Sequence, residues 1–176
     1  MIDIETLGTE PGCIVWEIGA MEFDLRTRAT GRTFWETINV DDAKARGLVE
    51  ELATRLWWDQ RGGIQQAPPL CSTVEALDLL THWIESVKPE NIWAWGSHFD
   101  IPLIEAAYRT AKKSRAYPWK YHQVSDARTV WKLAFGDRRH GPRTHGALAD
   151  VSAQIGDLCA AWERISTGEN ERIIRP

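Results

Sequence analysis

Three cysteines in 176 residues, Cys13, Cys71 and Cys159, are odd in number and form no C-x-x-C pair. A disulfide framework or a structural zinc site is therefore not expected, and the three thiols should be reduced and buried. No apolar run approaches the roughly 20 residues of a membrane span, and no charged-then-apolar leader precedes the first strand. The expectation is a cytoplasmic protein with no membrane partner. Basic charge is not in excess either. A formal net charge of −4 speaks against a protein that coats long stretches of duplex through its phosphates. It leaves room for an enzyme that grips only a strand end, where bound cations supply local positive charge. Internal repeats, linkers and low-complexity segments are absent, so residues 1–176 should form one domain with a proper hydrophobic core.

What is present is a run of strands followed by a run of helices. The opening stretch Met1-Ile2-Asp3-Ile4-Glu5-Thr6 alternates apolar and polar side chains, Cys13 to Phe23 is rich in Ile, Val and Trp, and Thr33 to Val40 alternates again. Short connections between the three suggest an antiparallel meander. Helical spacing then appears in Glu50 to Arg61 and again behind Ser72, whose partner Glu75 completes the form of a capping box. Asn91 to Ser97 is a short apolar strand, with a helix beginning near Pro102. Val124 to Asp126 should be a fifth strand, followed by a short helix from about Ala127 to Phe135, a polar loop from Gly136 to His145, and a last helix from near Gly146. That helix should bury Leu148, Val151, Ile155, Leu158, Cys159, Trp162 and Ile165. The order indicates an α/β protein with a mixed sheet flanked by α-helices. Basic residues cluster at Arg109, Lys112, Lys113 and Arg115, and at Arg138, Arg139, His140 and Arg143.

The chemistry is concentrated in acids. Residues i and i+2 of a strand share a face, so the Asp3 and Glu5 carboxylates project together, with Ile2 and Ile4 on the other side. Two adjacent carboxylates repel unless a cation sits between them, and hard oxygen ligands favour magnesium or manganese over zinc. Asp100 falls at a strand-to-helix junction, the crevice where open α/β sheets bind ligands. Asp150 borders the apolar stripe of the last helix, where a half-buried acid needs a partner or a cation. His145 stands five residues earlier, about 500° away on a continuous helix, so it can serve the same site only from the loop before that helix. A loop histidine can deprotonate a water near neutral pH.

An Asp-x-Glu first strand, an Asp at a strand-to-helix junction and His-x4-Asp entering the last helix form an ordered set. It resembles the DEDDh branch of the DnaQ-like 3′–5′ exonuclease superfamily, through Asp3 and Glu5 in Asp-Ile-Glu-Thr-Leu-Gly, Asp100 in Trp-Gly-Ser-His-Phe-Asp, and His145 with Asp150 in His-Gly-Ala-Leu-Ala-Asp. The match spans nearly the whole chain. Trp57-Trp58 followed by Gln60, and Asp126-Ala127-Arg128-Thr129, are similar to secondary motifs of a phage and bacterial group described as exonuclease-VIII-like or as mycobacterial-type 3′–5′ exoribonucleases. One departure is the short run before Asp3, where members of the family have a longer first strand.

The resemblance implies an RNase H-like fold with a mixed five-stranded sheet, antiparallel first and parallel after. It implies a hydrolase that removes mononucleotides from the 3′ end of single-stranded RNA or DNA, with two divalent cations, Mg2+ or Mn2+. Asp3 would bridge both ions, Glu5 and Asp150 would hold one, Asp100 would support the other, and His145 would act as general base. Thr6, Leu7 and Phe99 flank these positions and are candidates for contact with the terminal nucleotide. Relatives suggest a homodimer. The competing readings are an internally cutting two-metal nuclease and a catalytically weak nucleotide- or partner-binding module of the same fold. The presence of all five key residues speaks against the latter.

Overall fold

A computed structural model describes residues 1–66, 68–113, 116–136, 138 and 144–168. The strands are β1 (Ile2–Thr6), β2 (Val15–Phe23), β3 (Thr30–Thr37), β4 (Ile92–Ala94) and β5 (Val124–Asp126). The helices are α1 (Val40–Ala45), α2 (Leu52–Asp59), α3 (Thr73–Val87), α4 (Ser97–Ala111), α5 (Ala127–Phe135) and α6 (Ala147–Ser166). The meander is present: β1 pairs antiparallel with β2, and β2 with β3. β4 and β5 pair in parallel.

The expected single five-stranded sheet is found instead as two separately hydrogen-bonded sheets, one of three strands and one of two. β4 packs beside β1 without joining its ladder. One reason is local, because the Ile4 backbone N–H is bonded to the Asp100 carboxylate. A side chain thus takes a β1 backbone group that a neighbouring strand would otherwise need.

Both faces of the meander are covered. Ile2, Ile4, Ile18 and Ala20 are buried in a core that also takes Ala76, Leu77, Leu80 and Ile84 of α3 and Ile101, Leu103 and Ile104 of α4. A second core gathers Val151, Ile155, Leu158 and Cys159 of α6 around Ala127, Trp95 and Met1. Alternation then places Asp3, Glu5, Glu17 and Gly19 on the α6 side, since Asp3 pairs with Gly19 and Glu5 with Glu17 across the ladder. Gly19 decides how close α6 can come. A Cβ there would stand 2.5 Å from the backbone of Ala147 and Leu148, so only hydrogen at this position lets the helix start lie directly on β2.

Several boundaries differ from expectation for visible reasons. α4 begins at Ser97 rather than near Pro102, because Gly96 turns the chain with φ +95° and the Asp126 carboxylate accepts from Ser97 N–H at 2.6 Å. Pro102 lies inside the helix. Ser72 caps α3 as expected, accepting from Glu75 N–H at 3.2 Å. In α2 the core residue is Trp58, whereas Leu52 and Leu56 are exposed at 72% and 50%. Trp162 is also exposed rather than packed away, at the rim of a cavity bounded by Phe23, Leu25 and Trp93. Cys13 and Cys159 are buried, Cys71 is half-buried, and all three are free. No helix among the described residues is long and apolar enough to cross a membrane.

Candidate active site

The four predicted acids converge where β1, β2, α4 and α6 meet. Glu5, Asp100 and Asp150 are 8%, 4% and 4% exposed, a degree of burial that carboxylates rarely reach without partners. The Asp3 carboxylate accepts from Gln154 Nε2 at 2.6 Å. Gln154 follows Asp150 by one helical turn, so α6 delivers both to the β1 acids from the same face.

Asp150 is tied to the segment before its helix. One carboxylate oxygen accepts from Thr144 N–H at 2.8 Å and from Thr144 Oγ1 at 2.9 Å, and the other accepts from His145 N–H at 3.2 Å. His145 therefore sits on the loop before α6, as the angular argument requires, with φ +56°. Ligand atoms of Glu5, His145 and Asp150 lie within 4.8 Å of one another.

The electrostatics of this cluster are unbalanced. Burial, then the charges of Asp3, Glu17, Asp150 and Asp100, push Glu5 up to about 9. Asp100 is likewise raised well above the usual carboxylate range, first by burial and then by Asp3, with Arg128 and the Ile4 N–H opposing. So many acids in one buried place can be relieved by protons or by a positive guest. The donor set is all oxygen apart from one imidazole, which suits a hard divalent cation. Gln154 Oε1, buried beside Asp3 and without a hydrogen-bond partner among the described residues, adds one more oxygen. The residues present fit such an ion.

Three predicted contact residues have definite positions. Leu7 is fully buried in the main core, which corrects the expectation that it meets the terminal base; the chain leaves β1 there and turns the side chain inward. Thr6 is 7% exposed, and its hydroxyl donates to the Gly8 carbonyl at 2.6 Å. Phe99 is half-buried against the core in the first turn of α4, one residue before Asp100. Of the basic clusters, Arg115, Arg139, His140 and Arg143 lie outside the described residues, as does most of the Gly136–His145 loop. Arg109 donates to the Tyr117 hydroxyl at 2.6 Å, and Lys112 pairs with Asp78.

The secondary motifs act as supports. Asp126 caps α5 by accepting from Thr129 N–H at 2.7 Å while holding the start of α4 with its other oxygen. Arg128 donates to the Trp95 carbonyl at 3.1 Å, and its charge reaches Asp100. Trp58 Nε1 donates to the Thr6 carbonyl at 2.9 Å, fastening α2 to the end of β1.

A fifth acid was missed. Glu17, 6% exposed, lies opposite Glu5 on β2. Its carboxylate accepts from Trp35 Nε1 and from the Ala147 N–H at 3.2 Å, so it holds one of the orphan donors at the start of α6. A signal was available, since Glu17 is the sole charged residue between Gly12 and Met21. Glu17→Ala should leave both donors unpaired and lower stability by about 1–3 kcal/mol. Urea unfolding of the metal-free protein checks this; an unchanged midpoint would show that the contact to α6 contributes nothing.

The family model described as a 3′-5′ exoribonuclease Rv2179c-like domain matches residues 1–162. That span includes all of the acids, His145 and Gln154. No curated protein matches.

Proposed function

The chain belongs to the Rv2179c-like 3′-5′ exoribonuclease family, and from that premise we propose that this 3′–5′ exonuclease releases mononucleotides from the 3′ end of single-stranded RNA by DEDDh-type hydrolysis with two divalent cations, Mg2+ or Mn2+. The observation that carries the reading is the convergence of Asp3, Glu5, Asp100 and Asp150 in one buried cluster, with His145 at its edge. RNA rather than DNA follows the family description and is the part the acids do not decide, because the 2′-hydroxyl is read by separate contacts.

Asp3, Glu5, Asp100 and Asp150 would hold the cations. When bound, the ions supply positive charge to the scissile phosphate and to the attacking and leaving oxygens. His145 takes a proton from the attacking water, which its exposed place on the loop allows. Asp150 sets the position of His145 through the backbone N–H. Phe99, beside Asp100, offers an aromatic surface to the terminal base. Thr6 faces the same end of β1 and can accept a hydrogen bond from the terminal sugar, its own hydroxyl proton being directed at Gly8.

The test is digestion of 5′-labelled and internally labelled linear strands, 3′-blocked strands and internally labelled circles of single-stranded RNA and DNA, with and without Mg2+ or Mn2+. Linear RNA should shorten from its 3′ end to give mononucleotides, only with a cation. The blocked and circular substrates should stay intact. Cutting of a circle would assign the internally cleaving mode instead, and faster loss of DNA would overturn the RNA preference.

A further inference from the structure

A histidine that takes a proton usually has its ring held by a third group, most often a carboxylate on the second nitrogen. Here no hydrogen bond from the described residues reaches either ring nitrogen of His145. Its backbone is held by Asp150, but that bond leaves the side-chain torsions open. The backbone itself is in the left-handed region, which is unfavourable for a non-glycine residue.

We propose that Trp57 is the positioning residue for the His145 imidazole, an aromatic seat that holds the ring. This rests on the reading of His145 as the general base. The two rings meet at 4.9 Å between centroids and 88° between planes, the edge-to-face arrangement that aromatic pairs favour. Trp58 stands behind, 6.1 Å from the imidazole at 86°.

The seat is itself anchored at each end. Trp57 meets Trp58 edge-to-face at 5.0 Å, and Trp58 meets the buried Trp16 in the same way at 5.2 Å. The Trp58 indole is pinned to the Thr6 carbonyl, at the end of the strand that carries Asp3 and Glu5. Arg61 lies over the Trp57 ring at 3.8 Å and donates to the Trp57 carbonyl at 3.0 Å. A continuous run of rings thus connects the core to the imidazole. Trp16 lies on β2, paired with the strand that carries Asp3 and Glu5, and Trp58 is bonded to the end of that strand, so these acids and the base share one frame.

The rival role for an aromatic at a nuclease site is stacking on a base. The guanidinium on Trp57 covers one ring face, and Trp58 and His145 pack against the same ring at right angles. Trp57 is therefore poorly placed to receive a base.

A double-mutant cycle on the full chain separates the roles. Steady-state hydrolysis of 5′-labelled single-stranded RNA with Mn2+ is measured for wild type, Trp57→Ala, Trp57→Phe, His145→Ala and Trp57→Ala/His145→Ala, each checked by thermal melting. Trp57→Ala should lower kcat about 10–100-fold, as small misplacements of reacting groups do, with KM within about twofold. Trp57→Phe should recover most of the loss. In the His145→Ala background, Trp57→Ala should change kcat by less than about twofold. A raised KM with unchanged kcat would overturn the proposal in favour of base stacking. An equal loss in both backgrounds would assign Trp57 to the fold alone. If His145→Ala itself left kcat unchanged, the general-base reading would fall and the seat with it; slow His145→Ala beside an unaffected Trp57→Ala would remove only the seat.

Discussion

Asp150→Ala should lower hydrolysis below detection, by more than the roughly 10²–10⁴-fold that removal of a general base alone costs. Two losses combine in this substitution. A carboxylate leaves the cluster that would hold the cations, and the Thr144 N–H, Thr144 hydroxyl and His145 N–H lose their acceptor together. The loop that carries the base is thereby released from the helix that carries the ligand. Asp150→Asn distinguishes the two contributions, because its amide oxygen can keep part of the loop tether while the negative charge is gone. If charge dominates, the asparagine variant should be as inactive as the alanine variant, and His145→Ala should retain more activity than either. Rates of mononucleotide release under saturating Mn2+ decide the order. Ordinary activity in Asp150→Ala would remove this residue from the site, and with it the geometric basis for placing His145 there.

The acids were legible in sequence because their spacing follows backbone geometry. A two-residue step on β1 puts Asp3 and Glu5 on one face, and His145 had to leave the helix to meet Asp150; both hold in the structure. Supports that depend on pairing register were not legible. Glu17 joins the cluster only because β2 pairs with β1 so that Glu5 and Glu17 are opposite, and local pattern does not fix register. Gln154 required knowing that α6 lies on the acid face. Leu7 failed as a substrate contact for the opposite reason: flanking the acids in sequence places it after the end of β1, where the chain turns it into the core. The two-sheet arrangement likewise depends on a side chain, Asp100, bonding to the Ile4 backbone.

Glu17 also changes the view of the opening carboxylate pair. Asp3 and Glu5 alone could relax by sharing a proton or facing water. With Glu17 across the ladder, Asp100 against β1, and α6 closed over Gly19, water offers little relief, and Glu5 is pushed up to about 9, first by burial and then by Asp3, Glu17, Asp150 and Asp100. The cluster therefore carries charge that protons or cations must offset.

In metal-free buffer, the Glu5 carboxyl should draw stability down as pH rises from about 5 to about 9, and Mg2+ or Mn2+ should restore it most at the alkaline end. The sign follows from Glu5. Its carboxyl titrates near 4.5 as an isolated group and near 9 in the fold, raised first by burial and then by Asp3 and the other acids. Between those values the native state binds a proton that the unfolded chain has released, so increasing pH favours unfolding. Below about 4.5 both states are protonated at this group and the effect vanishes. Asp100 is displaced in the same direction and adds to the slope, while the buried Met1 amino group, pushed down to about 5 by burial, opposes it up to about pH 8. Solvent access and rearrangement reduce the full shift, leaving a few kcal/mol, on the order of several degrees or more in Tm. Cation binding reverses the balance, because the ionised acids become ligands and binding to the native state alone stabilises it. Thermal melts at pH 5, 7 and 9, with chelator and then with Mn2+, should show the wild type losing stability relative to Glu5→Gln as pH rises, a loss that the cation offsets. Glu5→Gln should also abolish most of the cation's effect. A chelated wild type whose pH dependence matches that of Glu5→Gln would mean that Glu5 ionises freely, and a cluster of that kind would have no need of an ion to close it.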